Sequence, residues 1–233
     1  MAHFTVIGLG RFGVAASLEL IHLGHTVTGV DSDPKMVEKY VEDLTEAIIC
    51  DCSDEAALRE LDLANSEAVL VAIGEDMQSS LLCTLALKNL GVEVIWVKAS
   101  TKAHHTIVSK LGVARIIHPE EEMGIRVAQS LNYPMVNNFL PIGDGLYVVE
   151  IHIKPHLDQT TVSQLLGAAQ DDVKDDVKSN VIRNPKGKVA AIMVKRDLTV
   201  FSKIDSQFIL QTNDALLLCG SRTELKYLAP RLV

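Results

Sequence analysis

A doubly wound parallel α/β domain followed by a smaller α/β domain is the fold class that three features of this sequence predict. Short apolar runs alternate with helix-like segments from Phe4 to His118, which is the pattern of successive β-α-β units. A glycine-rich turn, "GLGRFG", joins the first apolar run to the first helical segment. Past "NYPMVNNFLPIGDG" the pattern restarts with a second, shorter set of strands and helices.

Each element has a local reason. "FTVIGL" reads as a strand and "RFGVAASLELIHLG" as a helix closed by Gly24. "HTVTGVD" is the second strand. "DPKMVEKYVEDL" is a helix with Asp33 at its N-cap and Pro34 at its first position. "EAIICD" and "EAVLVAIG" are the third and fourth strands, separated by the helix "SDEAALRELDL". The helix "DMQSSLLCTLALKNLG", the strand "EVIWVKAS", the helix "TKAHHTIVSKLG" and the short strand "VARIIHP" complete the first domain. "PEEEMGIRVAQSLN" is a helix opened by Pro119, with three glutamates complementing its dipole. The domain boundaries are therefore expected at 1–118, a crossover helix and hinge at 119–137, and a small α/β domain at 138–233. In that last part "LYVVEIHIKP" is a strand and "TTVSQLLGAAQ" a helix. "KVAAIMVKRD" with "LTVFSKI" is a hairpin, "DALLLCGS" a strand and "RTELKYLAPRL" a helix. "DDVKDDVKSN" reads as a solvated charged loop.

Composition narrows the function classes. Hydrophobic residues make up 48% and charged ones 22% of the 233 residues, which suits a chain that buries a core. The formal net charge is −8. Without a basic run, nucleic acid is not expected as a partner, because phosphate contacts dominate such affinity. The longest apolar runs, such as "AVLVAIG", are too short to span a bilayer. "MAHFTVIG" lacks the charged leader and apolar stretch of a signal peptide, so a cytoplasmic location is expected. Cys50, Cys52, Cys83 and Cys219 are read as free thiols. "CDC" has no second ligand pair at zinc-site spacing.

The chemistry lies in the turns. Gly8, Gly10 and Gly13 form G-x-G-x-x-G between a strand and a helix. The first permits the tight turn, the second lets a pyrophosphate approach, and the third lets helix and strand pack. Asp31 ends the second strand roughly twenty residues on, where a carboxylate accepts hydrogen bonds from ribose hydroxyls and disfavours a 2′-phosphate. The alternative is that it caps the following helix. This is a Rossmann-like dinucleotide fingerprint. Its oddity is Arg11, next to Phe12, inside the loop. Ligands of such folds lie beyond the carboxyl ends of the strands. Ser32 and Asp33, Asp51 and Cys52, Ile73, Gly74 and Glu75, and Lys98, Ala99 and Ser100 therefore line the same crevice, with His104 at the start of the next helix. Asp51 falls where an adenine edge would be, unless the neighbouring Ser53 and Asp54 serve only as helix caps. His152 and His156 are too far apart along a strand to make a metal pair. No Tyr has a Lys four residues later, and no G-x-S-x-G or Walker lysine motif occurs.

"VIGLGRFG", "VDSDP", "LVAIGEDMQSS", "IWVKAS" with "HH" following, and "RIIHPEEEMGIRVAQSL" together resemble the RCK (regulator of potassium conductance) family, in particular its single-copy Ktr type. The resemblance covers residues 1–135 closely and the remainder only in plan. It implies a cytosolic regulatory subunit that gates a membrane potassium channel subunit of KtrB/TrkH-like kind. It also implies homo-dimers assembling into an octameric ring, with ATP and ADP favouring different ring states and NAD(H) able to occupy the same site. Arg11 matches the family's loop arginine, which reaches the terminal phosphate of ATP. A guanidinium there distinguishes three phosphates from two through charge-assisted hydrogen bonds. Glu120 matches a family acid associated with a divalent cation, so Mg2+ is expected beside the phosphates; the bland reading is an acid favouring a helix N-terminus. Asp31, Asp51, Lys98 and His104 match family nucleotide contacts. Cyclic di-AMP, a ligand of many C-terminal domains in the family, is not expected here. The acidic stretch "DDVKDDVKSN" would repel a dianion.

No catalytic function is expected on these grounds. The competing expectation is an NAD-dependent oxidoreductase, which would need an acid/base in the C-terminal part that the sequence does not offer.

Overall fold

In the computed structural model, residues 1–61, 63–133, 136–167, 182–183 and 189–232 are described. The chain divides into two units, Met1–Glu122 and Met123–Val233.

The first unit alternates strand and helix throughout. β1 (His3–Ile7), α1 (Arg11–His22), β2 (Thr26–Asp31), α2 (Pro34–Tyr40), β3 (Glu46–Ile49) and α3 (Glu55–Arg59) form its first half. β4 (Ala68–Val71), α4 (Met77–Asn89), β5 (Ile95–Lys98), α5 (Lys102–Lys110) and β6 (Arg115–Ile117) form its second. α6 (Pro119–Asn132) follows. The six strands are parallel in the order β3-β2-β1-β4-β5-β6. The order reverses between β1 and β4, and a ligand crevice opens at that point in such sheets. Alternation along the strands sends neighbours to opposite faces. Ile7, Val69, Val71 and Val97 join Leu58, Leu87 and Val108 in one buried cluster. Val6, Val27, Leu9, Val14 and Val37 form another.

Helix starts explain why the strand-to-helix turns are regular. Asp33, Asp54, Asp76 and Thr101 each accept backbone N–H bonds as N-caps of α2, α3, α4 and α5. Several helices are shorter than the apolar pattern suggests. α3 covers only Glu55–Arg59, with Leu58 as its buried anchor.

The second unit is built on an antiparallel sheet. Its elements are β7 (Val136–Gly143), β8 (Leu146–His152), α7 (Val162–Leu166), β9 (Ile182–Arg183), β10 (Ala190–Arg196), β11 (Thr199–Phe201), β12 (Ala215–Ser221) and α8 (Arg222–Leu232). The order is β11-β10-β12-β8-β7, with β9 paired to β10. Residues 136–143, whose Asn, Pro and Gly content suggests a hinge, are instead the edge strand β7. It turns back into β8 through Gly143, Asp144 and Gly145, all at positive φ. Pro141 is tolerated because an edge strand leaves one side unpaired. α7 begins with a reciprocal Thr161–Gln164 capping box and ends at Gly167 in the left-handed conformation. The core joins Val149, Ile151, Leu216 and Leu218 to Val162, Leu166, Leu225 and Leu228. The charged stretch 171–180 lies outside the described residues.

Candidate nucleotide site at the glycine loop

α1 is the exception among the helices α1–α5. Its N-cap is Gly10 and it has no side-chain cap. The first amide bonded within it is that of Val14, to the carbonyl of Gly10 at 3.0 Å. Its first-turn donors therefore face outward with the positive end of the helix dipole, the arrangement that takes an anion. Arg11 sits in that same turn, exposed. A cation there opposes the dipole unless negative charge lies alongside.

The three glycines have distinct geometry. Gly8 takes φ +97, where side chains are strained. A Cβ on Gly13 would overlap the carbonyl oxygen of Gly8, so strand and helix approach as closely as they do only without a side chain. A Cβ on Gly10 would meet nothing within 4 Å. The loop thus leaves open space where the fingerprint places a pyrophosphate.

Asp31 holds the loop rather than capping α2. Its Oδ2 accepts the Leu9 N–H at 2.7 Å and its Oδ1 accepts the Asp33 N–H at 2.9 Å. Each oxygen keeps a second lone pair for a hydroxyl donor. Asp33 makes the cap itself, and Ser32 is exposed beside it.

Lys98 is the centre of a second group. Its Nζ lies 2.6 Å from Glu120 Oε1 and 5.7 Å from the centre of the Phe12 ring. It also fills the space a side chain would need at Gly74. The surroundings of Glu120 favour its ionised form. The hydrogen bond from Lys98 holds its carboxyl below the ordinary carboxylate range, with help from the charges of Lys98 and Arg11. Arg11, Phe12, Gly74, Lys98 and Glu120 therefore gather at one place, while Ile73 is half-buried and Glu75 exposed on the loop after β4. Among the described residues no group of three His, Cys, Asp or Glu could hold a metal, so Glu120 alone does not make a cation site.

The remaining residues divide. Asp51 is exposed and accepts from the amide and hydroxyl of Ser53, which lowers its pKa, while Asp54 caps α3. Cys52 is buried in the core. Its thiol is held protonated by a hydrogen bond with Cys83 and by burial, so only its backbone is open to a ligand. Burial, with Cys52 alongside, pushes the Cys50 thiol up to about 12. Ala99 is buried and Ser100 exposed. His104 is fully buried. Its Nδ1 accepts from the Ser100 N–H at 3.4 Å, and its Nε2 has no hydrogen-bond partner. Burial, with a contribution from His118, depresses its pKa, so the ring is neutral with Nε2 carrying the proton. Sequence reasoning missed His118. Its Nδ1 bonds the Ala99 carbonyl at 3.0 Å and its Nε2 meets His105 Nδ1 at 2.8 Å. The signal available was a histidine at the carboxyl end of the sixth strand, next to the crevice.

Fold and loop define a Rossmann-like domain of the TrkA-N class, and the TrkA-N domain family matches residues 4–119. Ktr system potassium uptake protein A of Bacillus subtilis (strain 168) is 42% identical over 162 residues, 70% of this chain and 73% of that protein. Ktr system potassium uptake protein C of the same organism is 34% identical over 230 residues, 99% of this chain and 97% of that protein. Among solved structures, the GsuK channel bound to NAD superposes with a TM-score of 0.60 at 13% identity, over 100% of this chain and 39% of that one. That likeness concerns the fold. The chain belongs to the RCK family, in its Ktr branch.

Proposed function

We propose that this chain is a nucleotide-sensing regulatory subunit of a potassium uptake system, in which ATP and ADP bias alternative states of a ring of subunits. The observation that carries the reading is the uncapped start of α1. Its donors are open, Gly10 faces free space, and Arg11 stands exposed in the same turn, with Glu120 as the nearby acid whose charge it feels. The two Bacillus subtilis relatives are named as potassium uptake proteins. No helix among the described residues is long and apolar enough to cross a membrane. We assign the pore to a separate KtrB/TrkH-like partner, with this chain as cytoplasmic dimers that assemble into an octameric ring beneath it. No chemistry on the nucleotide is required.

The residue roles follow. Asp31 takes the ribose hydroxyls and Asp51 the adenine side. The α1 amides take the inner phosphates and Arg11 the terminal one. His104 Nε2–H, which is buried without an acceptor, is a donor for the ligand. Glu120 would hold Mg2+ together with phosphate oxygens once it gives up Lys98, leaving that ammonium to the phosphates. NAD(H) is a competing occupant, supported by the NAD in the GsuK structure.

The test is calorimetric titration of Arg11→Ala with ATP and ADP. ATP affinity is expected to fall roughly tenfold or more, the worth of a charge-assisted hydrogen bond, while ADP changes less. Equal losses for both nucleotides would remove Arg11 as the discriminator. A particle size in solution that differs between ATP and ADP would support coupling to the ring.

A further inference from the structure

His105 and His118 form a pair that the nucleotide reading leaves unused. His105 lies on the exposed side of α5, one residue past the buried His104. His118 follows β6 and is half-buried. The carbonyl of Ala99 only accepts, so His118 Nδ1 carries the proton in the 3.0 Å contact between them. In the neutral ring Nε2 is then a bare lone pair. That lone pair meets His105 Nδ1 at 2.8 Å, with the two ring planes 23° apart and their centroids separated by 5.0 Å. A backbone carbonyl on the far nitrogen is how proteins fix the tautomer and aim of a metal-binding imidazole. Ala99 is 2% exposed and lies directly after β5, so the carbonyl doing this is part of the sheet framework.

We propose that His105 Nδ1 and His118 Nε2 form a two-imidazole site for a divalent late transition-metal ion of the nickel or copper class. The donor set selects the class. Two imidazole nitrogens completed by water oxygens are the N,O set of tetragonal nickel and copper, whereas structural zinc sites are closed by four protein ligands. The 2.8 Å hydrogen bond between the rings already holds both nitrogens near enough to share one ion. The metal takes the place of the hydrogen bond between the rings. The proton on His105 Nδ1 moves to Nε2 of the same ring, both rings stay neutral, and no net proton is released. The His105 ring turns so that the two lone pairs converge, which its exposed place on α5 allows. Glu121 and Glu122, in the first turn of α6, add negative potential just past His118. No third His, Cys, Asp or Glu among the described residues completes a closed site. Water fills the other positions, and the ion is exchangeable.

Nickel chloride is titrated into the nucleotide-free full chain by calorimetry, with zinc chloride in parallel, and the titrations are repeated on His105→Gln and His118→Gln. One nickel per chain is expected, bound more tightly than zinc and weakened at least about tenfold in each variant. Copper(II) electron paramagnetic resonance should show two coordinated imidazole nitrogens in the parent and one in His105→Gln. The exposed His105→Gln keeps the fold, so its result stands even where His118→Gln loses structure. Cys50, Cys52 and Cys83 remain in both variants, so binding by thiols would survive the substitutions. Unchanged nickel affinity in His105→Gln overturns the site, and zinc bound more tightly than nickel overturns the metal class. Neither result touches the nucleotide reading, since no nucleotide is present.

Discussion

Gly10 and Gly13 lie three residues apart and make opposite demands on a side chain. At Gly13 a methyl group would press on the Gly8 carbonyl, which is backbone and cannot move aside. At Gly10, whose φ is −68, a methyl group would point into open space. Gly13→Ala is therefore expected to destabilise the ligand-free protein by about 3 kcal/mol or more, as overpacking does. Gly10→Ala should leave stability within about 0.5 kcal/mol, as for a substitution away from packing, yet abolish tight nucleotide binding. Urea melts and nucleotide titration on the same two variants separate the effects, and a Gly10→Ala protein that binds normally would place the phosphates elsewhere. The Lys98–Glu120 pair gives a second residue-scale expectation. A carboxyl whose folded pKa is depressed contributes stability above its unfolded pKa and loses it as pH falls through the folded value. Glu120 is 71% exposed, so the pair is worth less than about 1 kcal/mol. The stability gap between the parent and Glu120→Gln should be small at pH 7 and close as pH falls through the depressed carboxyl value, measured by urea melts from neutral pH into acid. A gap that widened in acid would contradict the depressed pKa. The tight turn at Gly8 and the close packing at Gly13 were legible in the sequence because the fingerprint is a local constraint. The burial of Cys52, the ion pair of Lys98 with Glu120 and the place of His118 were not, because each depends on a contact between distant segments.

At the level of elements, legibility followed the period of the pattern. The strands β1 to β6 stand out as short apolar runs, and the caps Asp33, Asp54, Asp76 and Thr101 announce the helices after them. β7 did not stand out, since Asn, Pro and Gly conceal an edge strand that is held by pairing with β8 rather than by its own propensity. Also unforeseen was the ion pair that joins β10 to the turn before β12. Arg196 donates from Nε and Nη2 to both oxygens of Asp214, at 2.7 and 2.8 Å, and also to the carbonyl of Ile209. Asp214 is fully buried and takes a third bond from the Gln211 amide. Removing the arginine would leave a buried carboxylate facing one amide. Arg196→Met is therefore expected to cost about 3–5 kcal/mol. Arg196→Met combined with Asp214→Leu should recover part of that loss, since the stranded charge is gone. Denaturant melts of the single and double variants check it, and a single variant within 1 kcal/mol of the parent would show that solvent reaches Asp214.

For the molecule as a whole, the question is where nucleotide binding resides. Met1–Glu122 contains all six parallel strands, both faces of their core and every residue assigned to the nucleotide, including Glu120. Met123–Val233 has a separate sheet and a core of its own residues. Each unit is near the length at which one hydrophobic core sustains a domain. A fragment ending at Glu122 is therefore expected to fold cooperatively and to bind ADP with an affinity within about tenfold of the full chain. ATP should lose more on truncation than ADP if the terminal phosphate is read between subunits of an assembled ring. Titration of the fragment and the full chain with both nucleotides, alongside their masses in solution, distinguishes the cases. If the fragment folds but binds neither nucleotide, residues beyond Glu122 belong to the site. If it keeps the full ATP preference, Arg11 reads the phosphate within its own chain, and discrimination precedes assembly.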